Sequence, residues 1–295
     1  MFSKSTWLHL RIPFSYFLMP VFFFALAISP NLHGSRLLWV LFIIHFLLYP
    51  ASNGYNSYFD KDEQSIGGLK NPPPVQSGLY YMALLFDLLA VVLGWWMVSP
   101  FFGVLLLGYG LASKAYSHPV VRLKRLPFAG WFTVVFFQGC YAFLMCYAGI
   151  NDFEVGNLFN EKVLWAAGLT SVMLFATYPM TQIYQHEEDS KRGDKTISLL
   201  LGVRGTFYFA MIFFVVATAG FISFFYVHYT LQMAYAFLAF LAPVVIFFLT
   251  GFARSYHHPQ RANYAFVMWL NAISATCLNG FFIWFFLETS HILQL

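Results

Sequence analysis

The sequence predicts an all-α, polytopic membrane protein: nine transmembrane helices in a bundle around a central cavity, with the N-terminus in the cytoplasm. Three observations carry this. Of 295 residues, 60% are hydrophobic and only 9% are charged, where a soluble chain carries about 25% charged residues. Aromatics reach 21%, with 37 phenylalanines. The apolar runs are roughly 17–25 residues long, the length that takes a helix across a bilayer. Only helices and closed barrels satisfy their own backbone in lipid, and barrel strands would be shorter and would alternate in polarity.

The nine runs fall near residues 14–31, 36–56, 78–98, 101–116, 127–149, 163–185, 205–228, 231–251 and 264–287. Pro100 divides the third from the fourth, Pro127 opens the fifth, and Tyr229-Thr230 leaves a short turn before the eighth. With the N-terminus inside, the inner segments hold Lys4, Arg11, Lys61, Lys70, Lys114, Arg122, Lys124, Arg125, Lys191, Arg192, Lys195, Arg204, Arg254 and Arg261, leaving only Arg36 and Lys162 outside. The inverse orientation would violate the positive-inside rule. The net charge of +4 is therefore a topology signal, and no nucleic-acid partner is expected. Cys140, Cys146 and Cys277 sit inside apolar runs and read as small apolar residues. No polar stretch is long enough to fold alone, so residues 1–295 form a single domain, placed as a multi-pass protein in a cell inner membrane. No secretory leader and no obligate protein partner are evident.

Seven of the twelve acidic residues lie in two clusters: Asp60, Asp62 and Glu63 after the second run, and Glu187, Glu188, Asp189 and Asp194 after the sixth. Asn56 and Asp60 are four apart and share a helix face, as do Gln185 and Asp189; Asn53 adds to the first face. The two pairs repeat at an interval of 129 positions. Two such helix tips facing each other would offer carboxylate and amide oxygens to one small volume. Mg²⁺ wants such oxygens and often takes one or two carboxylates plus substrate phosphates. Lysines and arginines nearby would add direct contacts to phosphate oxygens. Isolated charges at a helix tip are commonly solvated caps; two matched clusters in so acid-poor a chain argue for a binding site. A transporter or a structural membrane protein would explain the spans but not the pairing.

At these residues the chain resembles the UbiA superfamily of intramembrane prenyltransferases, which have nine transmembrane helices and two Asp-rich motifs. Asn56 and Asp60 match the first motif, with Gln64 where Asp is usual. Asp189 and Gly193 match the second, with Gln185 where Asp is usual, and Lys195-Thr196 continues it. Tyr116-Ser117-His118-Pro119 with Arg122-Leu-Lys124-Arg125 resembles the stretch after the family's fourth helix, and Arg11 and Pro13 the start of its first.

The resemblance implies transfer of a prenyl group from a prenyl diphosphate to a lipophilic, often aromatic, acceptor with Mg²⁺ as cofactor. It implies Asp60, Asp189 and Tyr116 as catalytic residues. Asn56, Asp60, Gln185, Glu188 and Asp189 are the expected metal ligands, with Asp62, Glu63 and Glu187 as further possible carboxylates. Lys124, Arg125, Lys191 and Arg192 are the expected diphosphate contacts. Tyr55, Tyr58, Phe59 and Tyr184 could shield an allylic cation. Asp87 is mid-run and should face the interior, as an acceptor contact or a structural partner. Gln138, Asn271 and Asn279 should join helices; His118 and His186 flank the expected site. The two glutamines also leave open a terpene cyclase of the same superfamily, which ionises a prenyl diphosphate without an acceptor.

Overall fold

The computed structural model describes residues 3–290, and among them every long element is helical. We label the long helices α1 (Lys4–Ala27), α2 (Gly34–Asp60), α3 (Gly78–Met97), α4 (Pro100–Ser117), α5 (Pro127–Asn151), α6 (Glu161–Arg192), α7 (Ile197–His228), α8 (Leu231–Tyr256) and α9 (Tyr264–Ser290). All but α4 are long and apolar enough to cross a membrane. The glycines, serines and Lys114 of α4 set it apart from the others. Eight such helices, rather than nine, are what length and composition establish.

Each helix packs on its neighbour in sequence, and α9 closes back on α1, so the bundle is a ring. Its apolar half is filled by phenylalanines. Phe24 of α1 stacks on Phe282 of α9 with centroids 4.6 Å apart, and meets Phe143, Phe221 and Phe224 at 5.2–5.6 Å. Such pairs contribute beyond the area they bury.

Five helices are irregular toward the polar end, α5 by a π turn over Phe136–Tyr141. The residue Arg11 in α1 has φ 48, and a 3-10 stretch over Ile12–Leu18 follows. In α2, a π turn over Ile43–Leu48 precedes Pro50, whose missing N–H breaks the regular ladder. The lower part of α6 holds Pro179, a 3-10 turn at Ile183–Gln185 and a last short helix, His186–Arg192. Gly202, with φ 65 and ψ 174, divides α7 after its first turns. These departures shape the end of the ring where α2, α4 and α6 converge.

Candidate functional site

A cavity of about 210 Å³ opens at that end. It collects Asn56, Asp60, Tyr116, Lys124, Gln185, Asp189 and Arg192, so both sequence clusters reach one space. The helix α2 stops here because Lys61 turns to φ 49, its N–H closing on the Ser57 carbonyl. This leaves Asn56 and Asp60 on one face, one turn apart, as the spacing requires. The Asn56 amide oxygen accepts a hydrogen bond from Ser117 Oγ at 2.8 Å. The Ser117 neighbour, Tyr116, meets Tyr178 with hydroxyl oxygens 2.6 Å apart.

The Asp60 carboxylate is 3% exposed. A buried charge must be paired, and Lys124 supplies the pair, with Arg122 Nη2 3.8 Å away. Arg122 grips Asp194 with two nitrogens, Nε at 3.1 Å and Nη2 at 2.9 Å. That forked bond holds the Arg122 guanidinium above its ordinary pKa. Lys124 also lies 3.8 Å from Asp194. Two carboxylates and two cations thus form one buried network.

The last helix of α6 divides its charges by periodicity. Asp189 and Arg192, three apart, face the cavity. Glu187 and Lys191, four apart, pair with each other at 2.6 Å on the outer side, each side chain 66% exposed. Glu188 is buried but turned to the loop after α2: it meets Arg192 at 2.6 Å and accepts the Glu63 N–H at 2.8 Å. Arg192 also pairs with Asp62 of that loop.

Three of the expected site residues stand apart from the cavity. Lys191 does not reach the cavity, because its helix turns it outward. Arg125 is exposed at the end of the 3-10 turn of Leu123–Arg125 and lies outside the cavity wall. Glu188 fastens a loop to α6 and does not line the cavity. Likewise Glu63 and Glu187 stay outside. Tyr55, Tyr58 and Phe59 stack among themselves and on Tyr80 away from the cavity, whereas Tyr184 lines it. Gln138 lines it too, while His118 packs on Phe59 and His186 meets Ser198 at 2.7 Å.

Several lining residues were not singled out for this role in the sequence. Asp194 follows Gly193, whose φ of 74 and the bond from Asp194 N–H to the Asp189 carbonyl at 2.9 Å fold the chain back beside Asp189. The glycine after an acidic helix tip is the signal for such a turn. Arg11 is buried, with its nitrogens on the Gly67 and Asn53 carbonyls at 3.1 and 3.2 Å. Tyr178 and Gln182, on α6, complete the wall beside Tyr116.

Comparison with known proteins identifies the family and the fold. The UbiA prenyltransferase family matches residues 17–273. The chain belongs to that family. A curated relative, digeranylgeranylglyceryl phosphate synthase of Methanococcoides burtonii, is 29% identical over 188 residues, which is 59% of this chain and 60% of the relative. The matched part thus spans less than two thirds of that relative. A UbiA homolog from Archaeoglobus fulgidus bound to GPP and Mg²⁺ superposes with a TM-score of 0.66, at 16% identity, over 96% of this chain and 99% of its own. A digeranylgeranylglyceryl phosphate synthase structure gives 0.60 at 17% identity, over 95% and 97%. At such identities these structures establish the shared fold, a helical membrane bundle.

The donor set suits a hard cation. The cavity offers carboxylate and amide oxygens from Asn56, Asp60, Asp62, Gln185, Asp189 and Asp194 beside hydroxyl oxygens such as those of Ser117 and Tyr116, with no histidine or cysteine in its wall. Among the described residues no three acidic, histidine or cysteine side chains converge on one point as they stand. Mg²⁺ does not require that, since it keeps waters and substrate phosphates as its remaining ligands.

Proposed function

We propose that this chain transfers a prenyl group from a prenyl diphosphate to a lipophilic acceptor within the membrane. The observation that carries the reading is the convergence of the α2 and α6 tips, with their oxygens and cations, on one cavity beside an apolar path. Nine spans, with α4 as the ninth, and a cytoplasmic basic face complete it: the arrangement leaves only Arg36 and Lys162 on the far side. We place the chain in a cell inner membrane. The named relatives support prenyl diphosphate and Mg²⁺ as ligands of the site.

In this reading Asn56, Asp60, Gln185 and Asp189 hold Mg²⁺, with Asp62 and Asp194 in reach. Bound Mg²⁺ supplies positive charge against the diphosphate oxygens. Lys124, Arg192 and Arg11 bind and orient the same oxygens as the allylic C–O bond breaks and charge builds on the leaving group. Lys124 would be free for this where Asp60 holds the cation in its place. The aromatic wall from Tyr109, Phe137 and Tyr184 excludes water from the allylic cation and faces it with electron-rich rings. An apolar groove of about 930 Å³ between α1 and α9 shares Arg11 and Phe14 with the cavity and gives lipophilic substrates a way in from the bilayer.

The relatives' names bring a glyceryl phosphate lipid forward as acceptor beside the aromatic ring. Purified protein in lipid discs, given prenyl diphosphates of several lengths and a panel of phenols, quinone precursors and glyceryl phosphate lipids, tests all of this. Mg²⁺-dependent product with one acceptor class is expected. Release of diphosphate without any acceptor would replace transfer by cyclisation, and no release at all would refute the reading.

A further inference from the structure

The cavity contains a chain of hydrogen bonds whose direction can be worked out. Gln182 lies at the end of the main helical stretch of α6, beside the start of α7. Ser198 is the second residue of α7, and its backbone N–H has no partner within the helix. That N–H donates to Gln182 Oε1 at 3.4 Å. The bond fixes which end of the amide is which: the oxygen faces α7, and the NH₂ faces the cavity. There Gln182 Nε2 donates to the Tyr178 hydroxyl oxygen at 3.1 Å.

A phenol has one proton to donate and an in-plane lone pair to accept with. The Tyr178 lone pair is taken by Gln182. Its proton then has the Tyr116 oxygen, 2.6 Å away, as its acceptor. The opposite direction would leave the Tyr178 proton without one among the hydrogen bonds of the described residues. The Tyr116 oxygen therefore accepts, and the Tyr116 proton is turned into the cavity that Asp60, Asp189 and Lys124 also line.

We infer that Gln182 and Tyr178 are positioning residues that orient the Tyr116 hydroxyl as a hydrogen-bond donor to the oxygen of the departing diphosphate. The inference rests on the proposed prenyl transfer. When the allylic C–O bond breaks, its electron pair moves to that oxygen. The Tyr116 O–H meets the growing negative charge without giving up its proton. The donation from Gln182 through Tyr178 strengthens that bond, since linked hydrogen bonds polarise one another. It also keeps the hydroxyl from rotating to accept from a substrate donor instead.

The test is a double-mutant cycle with the full-length protein in lipid discs, using geranyl diphosphate and the acceptor that wild type turns over. A hydrogen bond to a charged group corresponds to about a ten- to hundredfold change in rate. Tyr116→Phe should lower kcat by that factor with KM for the donor within about twofold, because the bond matters most once charge has developed. Tyr178→Phe should lower kcat less, about three- to tenfold. Tyr178→Phe added to Tyr116→Phe should change nothing further, since Tyr178 acts only through Tyr116. Gln182→Met should behave as Tyr178→Phe does. Thermal unfolding of each variant separates these effects from misfolding; the two Tyr→Phe changes remove one oxygen each. Additive losses in the double variant, or losses carried by KM alone, would overturn the inference. Wild-type protein that releases no diphosphate would overturn the prenyl-transfer reading and this inference with it.

Discussion

Replacing Lys124 by Met should make the protein less stable on its own and more responsive to Mg²⁺. Lys124 is 10% exposed and pairs with Asp60, which is 3% exposed. Breaking a buried pair by removing one partner costs about 3–5 kcal/mol. Arg122 remains 3.8 Å from Asp60, so the lower end, about 3 kcal/mol, is the expectation. In wild type a cation bound at Asp60, as proposed, would have to displace this lysine. In Lys124→Met that competition is gone, and Mg²⁺ offsets the stranded carboxylate. At a hundredfold excess over its dissociation constant, a ligand stabilises by about 2.7 kcal/mol. For chains of 150–250 residues that corresponds to roughly 5–10 °C in Tm, and somewhat less for this larger one. The assay is thermal unfolding in detergent with and without Mg²⁺, alongside diphosphate release. Without Mg²⁺ the variant should melt below wild type. Mg²⁺ should raise its Tm by more than it raises that of wild type, and turnover should be nearly lost because a diphosphate contact is missing. An Mg²⁺ response equal to or smaller than that of wild type would refute the idea that metal and Lys124 compete for Asp60.

Asp60→Ala or Asp189→Ala should abolish turnover while membrane insertion is kept; near-normal release of diphosphate by both would rule out the metal site. Lys191→Ala and Arg125→Ala should retain turnover within about twofold, since side chains outside a site contribute little, whereas Arg192→Ala should lose most of it. A tenfold loss in Lys191→Ala would contradict the outward-facing Glu187–Lys191 pair. Gly67→Ala should lower the melting temperature, because an added Cβ would lie 2.6 Å from Phe14 Cζ; overpacking of this kind costs about 1–3 kcal/mol, and an unchanged melting curve would show that the Phe14 ring gives way freely.

The parts of the site readable from sequence were those set by helix periodicity. Asn56 and Asp60 lie on an uninterrupted stretch of α2, so a spacing of four placed both in the cavity. Gln185 and Asp189 also reach it, although Gln185 sits in a 3-10 turn that the spacing did not foresee. Lys191 shows where periodicity needed one more step: the face holding Asp189 and Arg192 excludes residue 191, but proximity in sequence made all the local cations look alike. Glu188 could not be placed without knowing how the loop after α2 folds over α6. Arg11 and Asp194 depend on left-handed backbone at residues 11 and 193, a property of tertiary packing that pattern alone does not carry. The span count was limited by α4, whose polar and small residues lower its hydropathy although its helix, Pro100–Ser117, is well bounded by caps at Ser99 and His118.

The same helix has a consequence for how the protein is assembled. Asp87 of α3 pairs with Lys114 of α4, and Tyr55 of α2 stacks its ring over the ammonium at 4.8 Å. Alone at mid-span, Asp87 would oppose insertion by about 2.5–3.5 kcal/mol, and Lys114 reaches it from the last turn of α4. Neutralised against each other across the short turn at Val98-Ser99, they would let the two helices insert as one hairpin. Lys114→Leu should then make α4 more apolar yet strand the carboxylate of α3, and glycosylation-site mapping would find α3 failing to integrate; its normal integration would mean that α3 inserts on its own.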